Sequence, residues 1–124
     1  MLLKDNLYQI LKSEKNESGF AYSIQISDKH PIFKGHFPES PVLPGVCILQ
    51  IFKELSEDAL ANGEHLQYDE IKQCKFLTPV AMTEPAIVLV TLTLHQEDAS
   101  WNISASMKSE STFYTSLKAV LTTI

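Results

Sequence analysis

The sequence predicts an α+β domain: one antiparallel sheet wrapped around a single apolar helix. Three observations predict it. Five runs alternate apolar and polar residues with a period of two. One stretch, Val46 to Ala61, has helical character and is apolar nearly all round at its start. A stiff, proline-rich connection separates the first strands from that helix. A sheet with one apolar face and an apolar helix bury each other's surfaces when the first curls round the second.

The elements follow in order. A short strand, or a helical turn leading into one, is expected over Leu7 to Lys15, with a turn at Asn16 to Gly19. Phe20, Tyr22, Ile24 and Ile26 alternate with Ala21, Ser23, Gln25 and Ser27, the pattern of a strand with one buried face. Asp28 to Gly45 holds Pro31, Pro38, Pro41 and Pro44. Proline fixes φ and removes a donor, so this segment is neither helix interior nor central strand. Long connections of this kind in small domains are often functional.

Pro44 and Gly45 mark the start of the helix, and Asn62-Gly63 its stop. Val46, Cys47, Ile48, Leu49, Ile51 and Phe52 predict first turns surrounded by protein, while Glu57, Asp58 and Asn62 predict wetter last turns. Four strands are expected after it. Gln67 to Leu77 is closed by Pro79; Ala86 to Leu94 places Val88, Val90, Leu92 and Leu94 on one face. Trp101 to Met107 and Phe113 to Leu121 alternate in the same way. Turns at Glu97-Asp98-Ala99 and Ser109-Glu110-Ser111 predict an antiparallel meander.

Totals narrow the function. The 124 residues suit one domain, 1–124, able to bury about two-thirds of its unfolded surface without staples. Apolar residues make up 44% and charged residues 20%, which excludes a disordered chain. The net charge of −5 disfavours nucleic acid as a partner. No stretch is long enough to span a membrane, and Met1 to Leu11 lacks a signal peptide's apolar core. Cys47 and Cys74 have neither zinc nor redox spacing and read as reduced thiols, so a cytoplasmic location is expected. No phosphate loop, metal-ligand pair or cofactor motif is present in the sequence. His30, His65 and His95 lie apart and read as turn or surface residues.

The stretch Gly35-His36-Phe37-Pro38, followed by Pro41-Val42-Leu43-Pro44-Gly45-Val46, resembles the signature of the beta-hydroxyacyl-[acyl carrier protein] dehydratases. Lys75-Phe76 and Pro79-Val80 resemble that family's Lys-Phe-x-x-Pro-Val segment. The resemblance covers the order of elements over nearly the whole chain. It implies a hotdog fold, a homodimer or trimer of dimers, and a site at the dimer interface where His36 of one subunit faces the helix of the other. It implies no cofactor, a substrate carried on the phosphopantetheine of an acyl carrier protein, and substrate contacts at Phe37, Gly45 and Val46. Lys29, Lys34, Lys72 and Lys75 offer a basic rim for an acidic carrier.

The chemistry fits such a site. Dehydration of a 3-hydroxyacyl thioester needs a base for the C2 proton and an acid for the leaving hydroxyl. His36 suits the base. Gly45 and Val46 begin a helix, whose free N–H groups and positive dipole end can hold the enolate-like oxygen. The flanking prolines hold His36 relative to that helix end.

One position departs from the pattern. The family's catalytic acid, Glu or Asp, stands five residues after the glycine, where this chain has Gln50; its usual Gln one turn later is Glu54 here. An amide donates a hydrogen bond but delivers no proton. Three readings follow. Glu54 supplies the acid from the same helix face, roughly 6 Å along the axis. Or Gln50 orients substrate for other chemistry, such as thioester hydrolysis. Or the chain is an acyl-binding partner of a related hotdog subunit that carries the acid. In the plainest reading Gln50 is structural and Glu54 is a solvated member of a Lys53/Glu54/Glu57 face.

Overall fold

A computed structural model describes residues 2–35 and 39–124. The elements run β1 (Tyr8–Asn16), β2 (Gly19–Ile26), a 3-10 turn (Pro31–Lys34), α1 (Gly45–Leu60), β3 (Leu66–Phe76), β4 (Ala86–Glu97), β5 (Ser100–Lys108) and β6 (Phe113–Thr123). Each predicted strand is present, within a few residues of its expected ends. All strand pairings are antiparallel, in the order β1-β2-β4-β5-β6-β3.

That order corrects the expected meander at one strand. β4, β5 and β6 follow one another, but β3 leaves its sequence neighbour and pairs with β6 at the far edge. The place beside β4 is taken by β2, with Tyr22 opposite Val90 and Ile24 opposite Val88. β1 and β3 are the two edges, and both carry register shifts, at Ile10/Lys12 in β1 and at Tyr68/Glu70 and Ile71/Gln73 in β3. Such bulges bend a strand and increase its twist, which helps a sheet curl.

The period-two pattern sets the buried face. Tyr22, Ile24 and Ile26 of β2, Val88, Val90 and Leu92 of β4, and Leu117, Ala119 and Leu121 of β6 are buried. Against them lie Cys47, Ile48, Ile51, Phe52 and Leu55 of α1. The β1–β2 turn depends on Gly19, whose φ is +142° and where an added Cβ would lie 2.1 Å from the Leu92 carbonyl oxygen. No side chain fits there.

The helix differs from expectation in two ways. It ends at Leu60, because Ala61 takes the left-handed conformation and donates its N–H to the Glu57 carbonyl, ahead of Asn62-Gly63. It is also covered on one side only. Val46 is 65% exposed, and Leu49, Gln50 and Lys53 on the same outer stripe are half-buried. The apolar surface that sequence places all round the first turns is therefore not all consumed within one chain.

Candidate active site at the start of the helix

The connection before α1 is held from both sides. His30 caps the 3-10 turn, its Nδ1 accepting the Ile32 N–H at 3.1 Å. Further on, Leu43 donates to the Val80 carbonyl and Met82 to the Pro41 carbonyl, both at 2.9 Å. The proline block is thus pinned to the segment after β3. His36 and Phe37, expected as base and substrate contact, lie outside the described residues, as does Pro38.

Pinning the two segments brings the two sequence motifs to one place. Leu43, Gly45, Ile48, Phe76, Thr78, Pro79 and Val80 line a mainly apolar cavity of about 310 Å³ beside the first turn of α1. Gly45 sits close under its neighbour: a Cβ would lie 2.8 Å from Phe76 Cζ, so a side chain there would push the ring aside. Phe76, 54% exposed, forms an aromatic wall of this cavity. Among the described residues the helix start has no side-chain cap, since Pro44 is the N-cap, and no acidic residue sits in the first turn. Its dipole end therefore stays available to an anionic or carbonyl oxygen. A larger groove, about 410 Å³, lies between Asp5–Gln9, Gln25 and Pro85. It holds neither motif, and its size alone assigns it no chemistry.

Gln50 and Glu54 are brought together. Gln50 Nε2 donates to Glu54 Oε2 at 2.7 Å. Glu54 is 4% exposed, which corrects the picture of a solvated acidic face. Its carboxylate accepts four hydrogen bonds, two at each oxygen. Oε2 takes the Leu3 N–H at 2.8 Å as well as Gln50; Oε1 takes the Lys4 N–H at 2.8 Å and the Tyr8 hydroxyl at 3.1 Å. A carboxylate has about four acceptor sites, so these donors fill them. Gln50 borders an open groove of about 260 Å³ with Leu2, Lys53, Glu57, His65 and Ile124.

Sequence reasoning missed these donors because they lie about fifty residues away, in a turn with no motif. The turn is tight: Asp5 has φ 63°, and Leu7 donates to the Leu3 carbonyl at 2.7 Å. Next to it, Tyr22 donates to Asp58 at 2.9 Å and Lys4 pairs with Asp58 at 3.5 Å. Burial, and then the Glu54 charge, raises the Tyr8 pKa well above the tyrosine range; burial, and then Asp58, does the same for Tyr22. Cys47 is buried, and burial raises its thiol pKa, so it packs as an inert apolar group. Among the described residues no cluster of three or more His, Cys, Asp or Glu can hold a metal ion, and no helix is long and apolar enough to cross a membrane.

Comparison with known proteins adds a family. Residues 12–116 match the ApeI-like family, described as ApeI dehydratase. The chain belongs to the ApeI-like family. Among proteins of known name, it is 30% identical over 81 residues to a 3-hydroxyacyl-[acyl-carrier-protein] dehydratase FabZ of Thermoanaerobacter sp., covering 60% of this chain and 54% of that one. It is 34% identical over 73 residues to the FabZ of Klebsiella pneumoniae, covering 53% and 48%. The matches span about half the length of these relatives.

Two solved structures share the fold. The dehydratase heterocomplex ApeI:P of Xenorhabdus doucetiae aligns with a TM-score of 0.68 at 20% identity, covering 92% of this chain and 96% of that one. An uncharacterized protein of Erwinia carotovora subsp. atroseptica aligns with 0.64 at 24%, covering 94% and 93%. This ApeI-like chain is accordingly a hotdog: one antiparallel sheet and one central helix.

Proposed function

We propose that this chain takes part in dehydrating 3-hydroxyacyl thioesters carried by an acyl carrier protein. His36 removes the C2 proton, and the Gly45 and Val46 amides hold the thioester oxygen. Phe37 contacts the acyl group, and the apolar cavity at Phe76 offers that group a place. The observation that carries this reading is the meeting of both motif segments at the uncapped start of α1. Donors aimed at a developing oxyanion are worth about 10²–10³ in rate.

The acid is the weak point of a homomeric site. Gln50 delivers no proton. Both oxygens of Glu54 are already engaged by donors of its own chain. That observation favours a heterodimer, in which His36 of this chain meets the carboxylate on the helix of a related hotdog subunit. The exposed Val46 and the open edge of β3 support pairing with a second chain. So does the fold shared with a protein solved as a dehydratase heterocomplex. Exposed Lys34, Lys72 and Lys75 are the proposed docking points for the acidic carrier.

The test incubates the purified chain with 3-hydroxyacyl-carrier substrates, alone and with a related hotdog subunit that bears the acid. Water loss is followed by mass spectrometry and free thiol by a trapping reagent. Water loss in the mixture, abolished by His36→Ala, is expected. Turnover by the chain alone would return the acid to this subunit. Release of thiol would replace dehydration by thioester hydrolysis.

A further inference from the structure

Position 50 is where the dehydratase pattern places its acid, and the structure ties what stands there to position 54. We propose that Glu54 is a positioning residue for Gln50. By accepting the Gln50 N–H it turns the amide so that Oε1 lies on the opposite side, and the N-terminal turn Leu3–Tyr8 holds Glu54 for that task. The inference rests on the dehydratase reading only for its effect on turnover.

Carboxylate oxygens without a proton only accept, so the Gln50 atom that meets Oε2 at 2.7 Å is Nε2. Leu3 N, Lys4 N and Tyr8 Oη also point at this carboxylate. Glutamine at 54 would offer one acceptor oxygen and turn its own NH₂ against two of the four donors. The N-terminal turn therefore demands a carboxylate at 54. With a buried carboxylate at 54, an ionised acid at 50 would set two like charges in contact. An amide resolves the conflict. The exchange of residue types between 50 and 54 is thus one coupled change, and its origin lies in the N-terminal turn.

The consequence is chemical. With one Nε2 proton given to Glu54, the group that meets Oε1 is a donor, such as a hydroxyl or an imidazole N–H. A substrate hydroxyl on Oε1 is bound through its hydrogen. It is not protonated there.

The test uses the full chain labelled with ¹⁵N, reading the Gln50 side-chain amide by NMR, assigned by its loss in Gln50→Ala. In the parent its two Nε2 protons are expected to be well separated, with one slow to exchange. In Glu54→Gln the pair should shift, and its slow proton should exchange faster than in the parent. Should Glu54→Gln not fold, Glu54→Asp, which withdraws the carboxylate by one methylene, carries the same expectation. Tyr8→Phe, which keeps the ring, should give a smaller shift in the same direction. An unmoved Gln50 pair in a folded Glu54 variant would overturn the proposal. Movement in Glu54→Asp without movement in Tyr8→Phe would overturn the part given to the N-terminal turn. In the reconstituted mixture, Tyr8→Phe should lower kcat by up to about tenfold, the scale of one altered hydrogen bond, with KM unchanged. If no mixture dehydrates, the dehydratase reading fails while the amide signal still decides this inference.

Discussion

Gln50 answers to its neighbour, and a substitution there should show it. In Gln50→Glu the new carboxylate would lie against Glu54, so one of the two must hold a proton in the folded state. That raises a folded carboxyl pKa above its unfolded value near 4.3, so stability is lost as pH rises past that value. The melting temperature of Gln50→Glu should lie close to the parent at pH 5 and fall further below it at pH 8. A constant gap would mean that the pair does not share a proton. Tyr8 and Tyr22 act at the other end of the scale. Both have raised pKa values, so their contribution is complete below about pH 10, the unfolded value, and is lost above it. Circular dichroism should show cooperative alkaline unfolding that becomes shallower in Tyr22→Phe, which keeps the ring and removes the titration.

At the scale of the element, α1 is an axle with one dry side. Ile51 and Phe52 are fully buried, and Ile51→Ala should cost about 2–5 kcal/mol in urea unfolding. Gly45→Ala should leave the unfolding midpoint nearly unchanged, because the exposed Phe76 ring can swing away, and should instead narrow the cavity and raise KM for acyl substrates. Most of this level was legible in the sequence. The alternation of Val88, Val90 and Leu92 follows directly from the pleat. Two things were not. The pairing of β3 with β6 is set by closure of the whole sheet, which no local pattern carries. The burial of Glu54 depends on a turn about fifty residues upstream, while its sequence neighbours Lys53 and Glu57 mark a wet face.

At the scale of the molecule, the sheet has two edges and the helix one uncovered stripe. β3 presents exposed Ile71 and Phe76 along an edge with no partner strand in this chain, followed directly by exposed Leu77. A long edge of this kind invites pairing with another chain. Ile71→Lys should shift the sedimentation of the purified protein towards the monomer. An unchanged assembly would move the interface to another surface. The described site is likewise a product of the whole molecule. The segment from Leu43 into the first turn of α1 and the segment from Phe76 to Val80 are about thirty residues apart in the chain, and only their meeting makes the cavity.

The displacement of β3 also has a consequence in time. As the chain leaves the ribosome, β3 is complete before its partner strand β6, because all of β4 and β5 is made before β6. At about 5–20 residues per second, the strand waits unpaired for roughly a few seconds. Synthesis therefore passes through a stage in which Leu66–Phe76 is an open template, and the final strand is the one that closes it. A chain stopped short of Phe113 should be captured by chaperones or aggregate, however well its first hairpin has formed.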